Sequence, residues 1–413
     1  MPDEKKSLIA RRDFLRVAGG ATLGGFMLPR DLAGALGAVF EPRGVLSSPA
    51  QGRPFEMLVL GDSIMWGQGL KEEQKFSYHV AEWIKARLPG IEVHRHVFAH
   101  SGARILEDPV QDAKPPKHGE VPSHFPSITA QVEAATTAAF PLHPPLDPRS
   151  VSLILLDGGI NDFGSKVIIN PDPRYGRARV RRETQEKCVD RMRMLLPKVA
   201  KVFPNAKIVV TNYFQIVSEK SDMVLLWELL RFWDLAGNVV NKMTEDVRAK
   251  MSDQALEFHR VSTEGFREAV AKVAWQVADA GKATLPRGTV ADLNRFDRLQ
   301  RRVVLAEVPF GEDNAYGGPD TYLFYVNEPD PAASVRKPIC MEQVPNVPLE
   351  QLNCRLAATG HPNIAGARAY TRGIVKVLEQ WVPDWQASFG VKAPGPVTGR
   401  DAVELSRPRP ARP

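Results

Sequence analysis

Met57-Leu58-Val59-Leu60-Gly61-Asp62-Ser63-Ile64 is the stretch on which the reading of this chain turns. Four apolar residues without a polar interruption read as a strand buried on both faces. The Gly-Asp-Ser that follows reads as a tight turn into a helix. A serine placed there stands at the carboxyl end of the strand, the edge of an open α/β sheet where ligands bind. Given a histidine within reach, Ser63 is a candidate nucleophile.

Similar runs recur on either side of helical stretches. Val93–Ala99, Val151–Leu156, Ile208–Asn212 and Val303–Val308 read as four further strands. Their near-continuous apolar character indicates a parallel sheet covered on both faces. Phe76–Leu88 reads as an amphipathic helix stopped by Pro89-Gly90, and Glu183–Lys201 and Asn363–Gln380 read as two more. The alternation predicts a three-layer α/β fold with about five strands. Two segments read as insertions on it. Residues 103–150, rich in proline and histidine, suggest a long structured loop, and 215–300 is strongly helical. Its apolar stretch Met223–Trp233 is expected to pack against the main domain, with a lid or wall of an acyl cleft as the sharper alternative. Residues 391–413 read as a disordered, Pro-rich tail.

The chain has 413 residues, 43% hydrophobic and 25% charged, enough for one large domain or two small ones. A net charge of +6 is too mild for this size to argue for nucleic acid. Near the N-terminus, Ala10-Arg11-Arg12-Asp13-Phe14-Leu15-Arg16 resembles a twin-arginine export motif. A weakly apolar stretch, Val17–Leu28, and the small-residue site Ala33-Gly34-Ala35 follow it. An amphipathic helix is the competing reading. Residues 1–35 are therefore expected to be a signal peptide read by the twin-arginine machinery, which delivers the protein to the periplasm or beyond. Its removal takes away six basic and four acidic residues, so the mature charge is 6 − 2, or +4. Three cysteines remain, Cys188, Cys340 and Cys354. An oxidising compartment lets Cys340 and Cys354 bridge, and free, partly buried thiols are the equal alternative. Cys188 is expected to face the core from a helix.

Four short blocks lie in order where strands or loops reach one predicted rim. They are Gly61-Asp62-Ser63, Ser101-Gly102-Ala103, Gly158-Gly159-Ile160-Asn161-Asp162 and Gly360-His361-Pro362-Asn363. Ester hydrolysis needs a nucleophile, a base for its proton and donors aimed at the oxyanion. Ser63 offers the hydroxyl and His361 the base. The backbone N–H groups of Ser63 and Gly102 and the side-chain amide of Asn161 offer the donors. These residues resemble the SGNH hydrolases, the GDSL esterase/lipase family, whose four signature residues carry over in order onto Ser63, Gly102, Asn161 and His361. The resemblance runs from about Phe55 to Leu378 and is strengthened by Ile64-Met65-Trp66-Gly67-Gln68-Gly69. It implies a hydrolase domain over 55–382, a flavodoxin-like α/β/α sandwich, and ester hydrolysis through an acyl-serine without metal or other cofactor.

One departure stands out. The family's aspartate three residues before the histidine is here Ala358. Asp157, ending the third strand on the active rim, is the nearest candidate for the missing acid, although capping the following loop is its plainer role. Asp320, Glu342 and Glu350 are further alternatives, as is a Ser–His dyad held by a backbone carbonyl. Asp62 is expected to stabilise its turn and Asp162 to cap the next one. His94, His96 and His100 alternate on the second strand, with no carboxylate or cysteine at matching spacing to favour a metal. The run Arg174, Arg177, Arg179, Arg181 and Arg182 reads as a solvated face, with an anion contact as the sharper alternative. The expected function is an exported serine esterase acting on a small-molecule, lipid or glycan ester. Acyl transfer to a glycan or lipid acceptor, and a non-catalytic binding protein on the same frame, are the alternatives.

Overall fold

The structure is a computed structural model. It describes residues 52–114, 118–122, 125–137, 145–236, 241–282, 301–326, 328–343 and 348–391, without the side chains of 277–282, 343 and 348–350. The chain divides into two units, Met1–Leu46 and Ser47–Pro413, and the first lies wholly outside the described residues. The expected export signal at 1–35 and the tail beyond Val391 also fall outside them.

In chain order the described unit runs β1 (Phe55–Leu60), α1 (Phe76–Arg87), β2 (Val93–Val97), α2 (Ile128–Thr136), β3 (Val151–Leu156), α3 (Arg177–Thr184) and α4 (Asp190–Val202). It continues with β4 (Lys207–Thr211), α5 (Met223–Phe232), α6 (Glu245–Lys282), β5 (Val303–Ala306), α7 (Ala333–Gln343) and α8 (Pro348–Arg355). α9 (Ile364–Leu378) and α10 (Val382–Phe389) close it. The strands form one parallel sheet in the order β2-β1-β3-β4-β5. This is the flavodoxin-like order, with its switch point between β1 and β3. All five expected strands are present, with boundaries within two residues of expectation.

Right-handed crossovers decide which helix covers which face. The step from β1 to β2 runs one way along the sheet and the three later steps run the other way. α1 therefore lies on one face, packed beside α9, and the crossover helices α2, α4 and α6 lie on the other. Phe55 meets Trp385 and Phe389 of α10 at ring separations of 5.1 and 5.7 Å. The inner strands are buried except near their amino ends, and Leu58, Leu60, Leu153, Leu155 and Val209 are fully enclosed. Burial of such side chains contributes about 1.5–3 kcal/mol each and fixes the strand register.

Three expectations change. The region 215–300 is not simply an insertion, because α6 packs along α3, α4 and β5 and is the crossover helix between β4 and β5. Its 38 residues exceed what a bare crossover needs, which disguised its role in the sequence. The 103–150 segment likewise contains α2, which packs on β1. Helix α3 also starts earlier than expected, at Arg177, and passes into α4 through one wide π-helical turn, Gln185–Val189. Cys340 and Cys354 form a disulfide joining α7 to α8, and Cys188 is buried in the π turn.

Candidate active site

The turn after β1 is clamped from below by buried polar side chains. Gly61 N donates to Gln131 Oε1 at 2.8 Å, and Gln131 Nε2 returns a bond to Gly61 O at 3.0 Å. Asp62 N donates to Asp157 Oδ1 at 2.9 Å. Gly61 has φ +151°, and a Cβ there would overlap the Asp157 carboxylate, so only glycine fits. Asp62 then caps the short helical turn Ser63–Trp66, its Oδ1 accepting from Ile64 N at 2.9 Å. Its Oδ2 accepts from Tyr213 OH at 2.7 Å, and the same phenol oxygen accepts from Ile160 N at 3.1 Å. Tyr213, just past β4, thus joins the turns after β1 and β3.

His361 is carried by a different device. Residues before it pair with the chain near Phe324: Gly360 N donates to Phe324 O, and Phe324 N donates to His361 O, both at 2.9 Å. Leu323 and Pro362 form an antiparallel bridge. Directly afterwards Asn363 caps α9, its Oδ1 accepting from Ala365 N and Gly366 N. The imidazole Nε2 lies 2.7 Å from Ser63 Oγ, within the range of a nucleophile–base hydrogen bond.

The acid expected at Asp157 does not reach the imidazole. Asp157 is fully buried, and its Oδ1 is used by Asp62 N. Burial, and then the neighbouring Asp62 charge, push its carboxyl well above the usual range. Burial also raises Asp62. Asp320 and Glu342 are exposed, and the Glu350 side chain lies outside the described residues. Among the described residues no carboxylate hydrogen-bonds to His361, and its Nδ1 has no partner at good hydrogen-bonding geometry. The ring instead sits among main-chain carbonyls of Ala358, Thr359 and Ala357, which raise its basicity. Desolvation outweighs them and lowers the imidazole to about 4, with the Arg336 charge acting in the same direction.

Gly102 and Asn161 open on the same cavity as Ser63 and His361. Gly102 has φ +85°, and an added Cβ would stand 2.8 Å from the Phe125 ring. Asn161 Nδ2 donates one hydrogen bond to Ala103 O at 3.0 Å, which leaves the amide its second N–H. The π turn supports this block from behind, where Cys188 Sγ donates to Gly159 O at 2.9 Å. Asp162 does not cap its turn as expected. It accepts from Ile105 N at 3.0 Å and pairs with Arg191 at 2.5 Å, tying the loop after β2 to α4.

The cavity measures about 240 Å³, and its walls are apolar. Ile64, Ile160, Phe214, Ile216, Phe258 and Leu356 contribute to them, as do Phe232 and Trp233 at the end of α5. α5 is therefore both packed on the core through Leu226, Leu229 and Leu230 and a wall of the cavity at its far end.

Sequence reading missed a buried polar network beside the site. Gln68 lines the cavity, accepts from Ser101 Oγ at 2.5 Å and donates to Glu120 O at 2.7 Å. Glu120 accepts from Trp66 Nε1, Gly69 N and Arg336. Arg336, fully enclosed, also pairs with Asp330 and donates to Arg355 O at 3.0 Å. One guanidinium thus holds together the segments that flank Ser63 and His361. The Arg174–Arg182 run lies on an exposed face, as expected, and four of its arginines are paired: Arg177 and Arg181 with buried Glu257, Arg174 with Asp172, and Arg179 with Glu183. His100 does not join His94 and His96. It is buried, and its Nδ1 lies 2.9 Å from Ser101 O.

No protein-family model matches the chain, and no curated protein matches it either. Solved structures do. An extracellular lipase from Streptomyces rimosus is 13% identical over 79% of this chain and 99% of its own, with a TM-score of 0.42. A phospholipase A1 from Streptomyces albidoflavus is 14% identical over 79% and 99%, with a TM-score of 0.44. A family two carbohydrate esterase from Clostridium thermocellum, solved with cellohexaose, is 12% identical over 82% and 67%, with a TM-score of 0.34.

Proposed function

We propose that this protein is an exported serine esterase that cleaves carboxylic esters through an acyl-serine. The observation that carries the proposal is the 2.7 Å contact between His361 Nε2 and Ser63 Oγ, made in a cavity that also presents Gly102 and Asn161. In this reading His361 takes the Ser63 proton as Oγ attacks the ester carbonyl, and a C–O bond to the serine forms. The developing oxyanion is held by Ser63 N–H, Gly102 N–H and the second amide N–H of Asn161. His361 returns its proton to the leaving alcohol as the ester C–O bond breaks. Water then repeats the attack, and the acid leaves. In this reading the nearby carbonyls of Ala358, Thr359 and Ala357, which raise the basicity of the ring, stand in for the absent carboxylate. The apolar walls suit an ester with an apolar acyl or alcohol part. The Cys340–Cys354 disulfide supports an oxidising destination.

The direct test is labelling of the purified chain with a serine-reactive fluorophosphonate, followed by peptide mapping. The adduct is expected on Ser63, alongside turnover of short p-nitrophenyl esters. Folded protein that neither labels nor turns over would overturn the proposal.

The pH profile offers a second check. A lowered imidazole pKa keeps the base neutral until pH falls to about 4. The acid limb of kcat/KM is therefore expected near pH 4, not near the ordinary histidine value of about 6.5. Hydrolysis of a p-nitrophenyl ester across a buffer series measures it. A midpoint at the ordinary value would show that the ring is solvated in the working enzyme.

A further inference from the structure

We propose that Glu56, His94 and His96 form a binding site for one divalent transition-metal ion, with zinc the best match to the donor set. The site is independent of the esterase reading and lies at the other end of the strands. Two features of the sheet create it. His94 and His96 are two apart on the edge strand β2, so both project from one face. The parallel register then places Glu56 of β1 directly opposite His94. The carboxylate missing from the linear spacing is thus supplied across the ladder.

The three side chains already converge. Glu56 Oε1 lies 3.2 Å from His94 Nδ1, and Oε2 lies 2.6 Å from His96 Nε2. One ligand atom from each residue lies within 4.8 Å of the other two. Zinc with bonds of about 2.0–2.1 Å asks for ligand atoms roughly 3.3 Å apart in a tetrahedron. Small χ rotations of side chains anchored on two hydrogen-bonded strands reach that geometry. The rings stand perpendicular at 6.3 Å and do not stack.

The surroundings add two arguments. Glu92 Oε1 lies 3.0 Å from His94 Nε2, the nitrogen not facing Glu56. A carboxylate on the far nitrogen fixes the imidazole tautomer and leaves Nδ1 as the ligand, the usual support of a metal-bound histidine. Burial is graded as well: the Glu56 and His96 side chains are 12% and 16% exposed, whereas His94 is 39% exposed. An ion can therefore enter from solvent and keep a water in its fourth position. Bound there, the ion staples the edge strand to its neighbour.

The test is titration of metal-stripped full-length protein with zinc chloride by calorimetry, paired with thermal melts. One equivalent is expected to bind, and Tm should rise with zinc concentration. Glu56→Gln and His96→Asn are each expected to lose both responses, and Glu92→Gln to weaken binding about tenfold. Cobalt(II) should give the intense visible bands of a four-coordinate site in the parent chain alone. Failure of the parent to bind one equivalent, or identical binding by Glu56→Gln and His96→Asn, would overturn the site. A metal-free melt of each variant establishes folding, and either variant alone suffices should the other not fold.

Discussion

Replacing Ser63 by alanine is expected to lower the turnover of short p-nitrophenyl esters by about a million-fold, with the fold intact. The size follows from what the substitution removes. Without Oγ there is no covalent intermediate, and His361 has nothing to activate. What survives is water attack assisted by the oxyanion donors, a loss of about 8 kcal/mol in transition-state stabilisation. Folding should survive because Asp62 caps the turn through Ile64 N, and Gln131 and Asp157 hold the backbone below it. None of those bonds uses the serine hydroxyl. Steady-state kinetics on protein checked by circular dichroism measures the effect. Activity within tenfold of the parent would place the nucleophile elsewhere.

His361→Ala is expected to cost nearly as much, and the informative comparison is with Asp157→Asn. In a hydrolase whose imidazole rests on a charged aspartate, the asparagine variant loses about ten-thousand-fold, because the ring is held in the wrong tautomer. Here Asp157 is buried, its carboxyl pushed well above the usual range by burial, and bonded to Asp62 N, away from the imidazole. Asparagine keeps the shape and the acceptor for that N–H. Asp157→Asn should therefore retain activity to within about tenfold while His361→Ala loses almost all of it. A steep loss in Asp157→Asn with an unchanged melt would restore Asp157 as the orienting acid.

The sheet was legible because its strands are short, apolar and bounded by turn residues. The four blocks were legible for the same reason, since each directly follows a strand or precedes a helix. The orienting group of His361 stayed open between an acid and a main-chain carbonyl, because the placement of a carbonyl leaves no mark in a sequence. Gln131, Tyr213, Glu120 and Arg336 were missed because their importance lies in partners 51 to 216 residues away. Tyr213 alone carried a signal, its position directly after β4 on the active rim. Glu56 was missed because cross-strand pairing depends on register, which periodicity does not give.

Ser63 and His361 are 298 residues apart in the chain, yet they meet at hydrogen-bonding distance. Between them the chain lays down β2, β3, β4 and β5, and only then does the segment at Leu323 capture Pro362. Contacts of such long range are late events, because the closure entropy of the intervening chain is spent before they form. During refolding, secondary structure and the burial of tryptophan should therefore return ahead of the Ser63–His361 pair. Recovery of ester turnover would then time the last step of assembly, and chains stopped before residue 361 would accumulate as sheets without a working centre.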